Sequence, residues 1–287
     1  MRGKIVIIGS TGQLAADLLH VFGEHAVGLS HQDVDVTDGV GLVGALRGLK
    51  PDWVLNTAAF HRVDDCQLNP SLAFEVNALG ASKVARAAAA NDAAVVFFST
   101  DYVFSGLERS QPYTEGDGPA PLSVYGVSKW AGEQLVAQGN PRSLVVRSAG
   151  LYGCATSRKG WTFPELMIRK ARADGIVRVV TDQVLSPTFT ADLALKTREL
   201  IEQDATGLFH VVNAGECSWF ELARRVFELA GVKVRLEPIE TSQTQCGARR
   251  PPYSALMSTR LEQVGLSSLR PWDEALRDYL QIKGLLS

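Results

Sequence analysis

The apolar run Ile5 to Ile8 ends in Gly9-Ser10-Thr11-Gly12-Gln13-Leu14-Ala15, after which Leu14, Leu18 and Phe22 share one helical face up to Gly23. A strand, a glycine turn and a helix in that order open a βα unit and commit the chain to crossover connections between parallel strands. Gly9 suits the tight turn, Gly12 lets the backbone come close to an anion, and Ala15 is small enough for helix and strand to pack. Thr11, Gln13 and Leu14 complete a turn that aims backbone N–H groups outward, so a pyrophosphate is the expected occupant. A plain βα turn without a ligand is the alternative.

The same rhythm continues. Strands are expected at Ala26 to Leu29, Trp53 to Asn56, Val95 to Phe98 and Leu144 to Arg147, alternating with helices near Val40 to Leu49 and Val124 to Gln138, the latter closed by Gly139. Asn69-Pro70 supplies a cap and a first-turn proline for a long helix running through Ala85 to about Asn91. Ser105 to Ser123 holds three prolines and three glycines and should be an irregular surface loop. Further on, Thr162 with Glu165 and Ser218 with Glu221 have capping-box spacing before helices that end at Gly175 and Gly231. Strands at Val177 to Val180 and Phe209 to Val212 flank a helix at Ala191 to Ile201. The fold expected is α/β, a Rossmann-type doubly wound parallel sheet with a smaller α/β lobe. Residues 1–150 form the nucleotide-binding domain, completed by strand and helix segments from 176–200, and residues 151–287 form mainly the lobe.

A net charge of -2 offers no bulk attraction to nucleic acid or an anionic membrane. The charged start and the short first apolar run fit neither a signal peptide nor a membrane span, so a cytoplasmic protein is expected. Cys66, Cys154, Cys217 and Cys246 lie far apart, without metal-ligand spacing, and read as free thiols with no metal.

Tyr125-Gly126-Val127-Ser128-Lys129 opens a helix and puts phenol and ammonium on one face. A phenol becomes a useful acid or base near neutrality when a neighbouring cation lowers its pKa, and Lys129 can supply that cation and hold a nicotinamide ribose. Thr100, at the end of the fourth strand, can hydrogen-bond the oxygen of a ketone undergoing reduction. An exposed helix pair is the bland alternative. At the end of the second strand the chain reads Leu29-Ser30-His31-Gln32, and the first acid is Asp33. Ser30 is therefore set against the adenosine ribose, and NADPH and NADH both stay open.

These residues, with Asp35-Val36-Thr37-Asp38, Asn56 to Ala59, Asn77, Ser99 to Phe104, Arg147, Tyr152-Gly153, Asp182-Gln183, Ser186-Pro187-Thr188 and Arg250-Pro251, run in order from end to end. The whole chain resembles the dTDP-4-dehydrorhamnose reductase family of extended short-chain dehydrogenases/reductases. The resemblance implies reduction of a dTDP-linked 4-keto-6-deoxyhexose, a small-molecule sugar nucleotide, with homodimer formation left open. It implies that Thr100, Tyr125 and Lys129 are catalytic, that Asp35 and Val36 lie near the adenine, and that Ala58 and Ala59 flank the cofactor. Thr100, Asp101 and Tyr102 would approach the sugar, and Arg250 its diphosphate. Two positions depart from the family pattern: Gly150 stands where a tryptophan usually lines the sugar pocket, and Leu185 where glycine is usual. An epimerase or dehydratase would need further acid/base groups, for which His61 and Cys66 are the candidates. A nucleotide-binding regulatory subunit is a non-enzymatic alternative, because the regulatory subunit of methionine adenosyltransferase resembles the same family. His210 is expected to be structural, Cys154 an inert thiol, and Trp161, Trp219 and Trp272 to pack the lobe or an interface.

Overall fold

Every residue of Ile5–Ile8 (β1) is buried, as an apolar run without alternation requires of a strand inside a covered parallel sheet. The structure, a computed structural model, describes residues 3–155, 160–244 and 247–287. After β1 come α1 (Gln13–Phe22), β2 (Ala26–Leu29), α2 (Gly39–Leu49), β3 (Trp53–Asn56), α3 (Val63–Leu68), α4 (Pro70–Phe74), a π-helical turn (Glu75–Gly80) and α5 (Ala81–Ala89). Then follow β4 (Ala94–Thr100), α6 (Val124–Gly139), β5 (Ser143–Ser148), β6 (Leu151–Tyr152), α7 (Phe163–Asp174), β7 (Ile176–Val180), β8 (Val184–Leu185) and β9 (Thr188–Phe189). The chain ends with α8 (Thr190–Glu202), β10 (Gly207–His210), β11 (Cys217–Ser218), α9 (Trp219–Leu229), β12 (Arg235–Ile239) and α10 (Trp272–Ile282).

The main sheet is wholly parallel, in the order β10-β5-β4-β3-β1-β2, and is Rossmann-type. Two apolar layers cover it. Leu14, Leu18 and Phe22 of α1 pack with Leu193, Leu200 and Ile201 of α8 on one face. Leu42 and Leu46 of α2, with Val84, Ala85 and Ala88 of α5, cover the other. A third cluster joins α7, α9 and α10 around Met167, Val226 and Tyr279. Both capping boxes form, on Thr162 and on Ser218.

Residues 176–200 divide between the two regions. Helix α8 covers the main sheet, but β7 pairs with β12, and the sixth strand of the sheet is β10. The reason lies in β7 itself: Val177 and Val179 are buried while Ile176 and Arg178 are exposed, a one-faced pattern that suits a two-stranded ribbon and not the interior of a covered sheet. Asn69 also departs from expectation, because its side chain does not cap α4 and instead donates to the Asp65 carbonyl left by α3 at 3.1 Å. Gly139 remains inside α6, whose cap is Asn140. Among the described residues, no helix is long and apolar enough to cross a membrane.

Candidate active site

With β1 lying between β3 and β2, the strand order reverses at the β1/β3 boundary, and crevices for ligands open beyond the carboxyl ends of strands at such a point. Gly9 leaves β1 there at φ +84°, and a Cβ on it would stand 2.9 Å from the Ala58 nitrogen that follows β3. Only glycine allows this approach. The turn is held by Gly9 and Ser10 donating to the Leu29 carbonyl, at 2.8 and 3.1 Å. Gly12 caps α1 without any side-chain hydrogen bond, so no side chain competes for the first-turn N–H groups. These features fit a dinucleotide pyrophosphate. Thr11 is exposed at the turn, whereas the Leu14 side chain is buried in the sheet core and can offer a ligand only its backbone. The Gln13 amide donates to the carbonyls of Gly153 and Ala155, both at 3.1 Å, and so ties α1 to the strand β6 exit.

Beyond β2, Ser30 donates its N–H and hydroxyl to Asp33, each at 2.7 Å, which holds the Asp33 carboxyl below its usual range. The Asp35 carboxylate accepts from the N–H and hydroxyl of Thr37, both at 2.8 Å, and is held low for the same reason. Val36 is buried against Gly80.

Thr100, Tyr125 and Lys129 gather at the carboxyl end of β4. Ser123 caps α6 by accepting from the Gly126 N–H at 3.3 Å, which puts Tyr125 in the first turn. A Cβ on Gly126 would overlap the Tyr102 carbonyl at 2.1 Å, so this glycine lets α6 seat directly on the segment after Thr100. The Tyr102 and Tyr125 rings meet edge to face at 6.1 Å. Burial pushes the Tyr125 phenol above its ordinary value, and the Thr100 hydroxyl facing it pulls it back in part. The expected phenol-lysine pairing takes another form. The Lys129 ammonium donates to the Phe98 carbonyl at 2.6 Å and lies 4.0 Å over the Phe97 ring, and burial lowers its pKa to about 7. The ammonium is thus directed at β4.

The supports of this site had no local signal. Asn77, from the π-helical turn, accepts from the Phe60 N–H and donates to the Phe60 carbonyl, both at 2.8 Å, and to the Ser128 hydroxyl at 3.0 Å. It thereby clamps the segment carrying Ala58 and Ala59 to α6. Beneath Thr100, Glu133 forms a buried bidentate pair with Arg147 at 2.8 and 2.7 Å and accepts from Ser99 at 2.5 Å. Asp101 is only 3% exposed, with its oxygens taken by Thr100 and Ser254, so it presents no open face to a sugar here. Arg250 forks onto Asp64 at 3.3 and 2.7 Å and is partly buried. His210 is buried against Tyr113 and Met257 carbonyls. Trp219 packs on Phe163 and Trp272 joins the same cluster, whereas Trp161 is half exposed under Arg169. Cys154 and Cys217 form no disulfide, the Cys66 thiol donates to the Phe60 carbonyl at 3.2 Å, and Cys246 lies outside the described residues.

A Rossmann-type sheet, an uncapped helix at its switch point and a tyrosine, lysine and threonine at its carboxyl edge define an oxidoreductase of the extended short-chain dehydrogenase/reductase class. The RmlD substrate binding domain family model matches residues 3–284, and the chain belongs to that family. It is 38% identical to a dTDP-4-dehydrorhamnose reductase of Mycolicibacterium smegmatis, over 97% of this chain and 85% of that protein. It is 35% identical to the spore coat polysaccharide biosynthesis protein SpsK of Bacillus subtilis, over 97% of each chain. The crystal structure of Bacillus anthracis dTDP-4-dehydrorhamnose reductase in complex with NADP superposes with a TM-score of 0.94 at 34% identity, covering 98% of this chain and 100% of that one.

Proposed function

We propose that this protein uses NADPH or NADH to reduce the 4-keto group of a dTDP-linked 6-deoxyhexose, converting dTDP-4-dehydrorhamnose to dTDP-L-rhamnose. The observation that carries this reading is that Thr100 and Tyr125 face each other at the carboxyl edge of β4, beside the uncapped start of α1. Bound across that edge, the nicotinamide would supply the hydride for the sugar C4. Tyr125, kept neutral by burial, gives its proton to the oxygen at C4. Thr100 orients that oxygen, and Lys129 stands one helical turn away to hold the cofactor ribose. In this reading Gly9, Thr11, Gly12 and the first-turn N–H groups of α1 take the pyrophosphate, and Ser30, Asp35 and Val36 border the adenosine. Arg250 meets the sugar diphosphate. The main sheet carries the cofactor, the region around α7, α9 and α10 carries the sugar nucleotide, and reduced cysteines suit the cytoplasm.

The test is oxidation of NADPH and of NADH with dTDP-4-keto-6-deoxy sugars generated in place by the upstream epimerase, with the product identified by NMR. Formation of dTDP-L-rhamnose supports the reading; oxidation of neither cofactor overturns it. A different keto sugar is the second reading, favoured by Gly150, which lacks a side chain two residues beyond β5 where Leu185 closes in instead.

A further inference from the structure

We propose that Asp101 is a positioning residue for the reduction, acting through Thr100: the protonation state of its carboxyl sets where the Thr100 hydroxyl sends its single proton. The proposal rests on the reading of Thr100 and Tyr125 as the reducing site.

Asp101 Oδ1 accepts from Thr100 Oγ1 at 3.1 Å, and Oδ2 accepts from Ser254 Oγ at 2.6 Å. Ser254 comes from the far end of the chain and is pinned by its own N–H donating to the Val184 carbonyl at 2.8 Å. Thr100 Oγ1 also accepts the Tyr102 N–H at 3.2 Å and faces the Tyr125 phenol. A threonine hydroxyl owns one proton. When Asp101 is ionised that proton is drawn to Oδ1, and the chain Tyr125 to Thr100 to Asp101 runs away from the substrate. Thr100 then shows only lone pairs to the keto oxygen. When Asp101 is protonated the chain reverses: the acid donates to Thr100, Thr100 donates to the keto oxygen, and the Tyr125 proton is left for the product alkoxide.

Ser254 decides which carboxyl oxygen carries the proton. Its other acceptor, the Val184 carbonyl, lies at 3.5 Å, the limit of a hydrogen bond, so the hydroxyl keeps donating to Oδ2. The acid proton therefore falls on Oδ1, toward Thr100. Burial raises the Asp101 carboxyl to about 6, close enough to neutrality for both states to be populated. The titratable group facing it from α6 is the Tyr125 phenol, which in turn faces the Cys66 thiol of α3. Among the described residues of the C-terminal segment, the Ser254 hydroxyl is the group that meets it. Lys129, also on α6, titrates near 7 but faces Cys66 and Glu133.

The experiment is the pH profile of kcat and KM for the wild type, Asp101→Asn and Ser254→Ala. The wild type should lose about tenfold in kcat as pH rises from one unit below the Asp101 inflection to one unit above it, with KM little changed. In Asp101→Asn the amide nitrogen donates to Thr100 while its oxygen accepts from Ser254, which mimics the acid form, so that limb should flatten to less than about twofold. Ser254→Ala removes a donor to the carboxylate and should move the inflection up by about one unit. An inflection due to Lys129 would stay in all three proteins. Retention of the wild-type limb in Asp101→Asn, or an unmoved inflection in Ser254→Ala, overturns the proposal.

Carbon-13 NMR of the aspartate carboxyls in the ligand-free protein reads the same coupling without turnover. The Asp101 signal should titrate near 6 and move upward in Thr100→Val, which removes the hydroxyl that favours the carboxylate. No movement in Thr100→Val overturns the coupling even if Asp101→Asn fails to fold. Wild-type protein that reduces no keto sugar while its Asp101 signal behaves as stated would instead overturn the functional reading.

Discussion

Lys129 donates a hydrogen bond from its ammonium to the carbonyl of Phe98 at 2.6 Å, in a buried setting that lowers its pKa to about 7 from 10.5. In the unfolded chain the ammonium is fully solvated, so between those two values the folded protein binds fewer protons than the unfolded one. The contribution of this group to stability therefore rises with pH across that window. Lys129→Met removes the titration. Its stability relative to wild type should be most favourable at and below neutral pH and should decline steadily toward pH 10, read from urea midpoints. A difference that does not change with pH would show that Lys129 is not desolvated as described.

Tyr125→Phe keeps the ring that meets Tyr102 edge to face and removes the hydroxyl that faces Thr100. Turnover should fall by about 10²- to 10⁴-fold, the usual worth of a positioned general acid, while NADPH affinity stays within about twofold. Single-turnover reduction and fluorescence titration of the cofactor separate the two effects. Turnover like that of wild type would remove Tyr125 from the chemistry.

Arg147 and Glu133 are both buried, and the Ser99 hydroxyl also donates to the Glu133 carboxylate. Removing one partner takes the bidentate ion pair from the other while it stays out of water, which typically costs about 3–5 kcal/mol. Arg147→Met should lose stability on that scale, and because Ser99 precedes Thr100 on β4, kcat should fall as well. Glu133→Gln with Arg147→Met, which removes both charges of the pair, should recover most of the stability. Failure of the double variant to recover would mean that packing, and not the stranded carboxylate, dominates.

What could be read from the chain was whatever is local. The β1 turn was legible because strand, glycines and helix are contiguous, and Tyr125 with Lys129 because four residues bring side chains onto one helical face. The direction of Lys129 was not, since its partner Phe98 lies on β4, 31 positions earlier. Asn77 reaches Ser128 across 51 positions and Ser254 reaches Asp101 across 153, distances over which no sequence period carries information. The placement of β7 was legible after all: Arg178 in the middle of an apolar run marks one solvent-facing side, a signal that outweighs the run's β-rich composition. Leu208 and Phe209, by contrast, gave β10 its place through two covered faces, which only the packed structure displays.

Gly150 has φ +53°, and a Cβ there would lie 2.5 Å from a terminal methyl of Leu185 and 3.3 Å from the backbone of Pro187. The glycine and the leucine are thus one unit: the leucine occupies the volume that a side chain at 150 would claim. Gly150→Trp should lose about 1–2 kcal/mol from the left-handed backbone alone, and more from the collision with Leu185. Leu185→Gly removes the collision but not the backbone strain, so in the double variant the two effects should fall short of additive by about 1 kcal/mol or more. Urea unfolding of the four proteins closes that cycle. Because residue 150 follows β5 on the edge where Thr100 ends β4, the double variant should also reorder kcat/KM among dTDP-linked keto sugars, whereas Leu185→Gly alone should mainly weaken all of them. Additive stabilities together with an unchanged order of substrates would show that the two residues neither share a volume nor shape the sugar-facing wall.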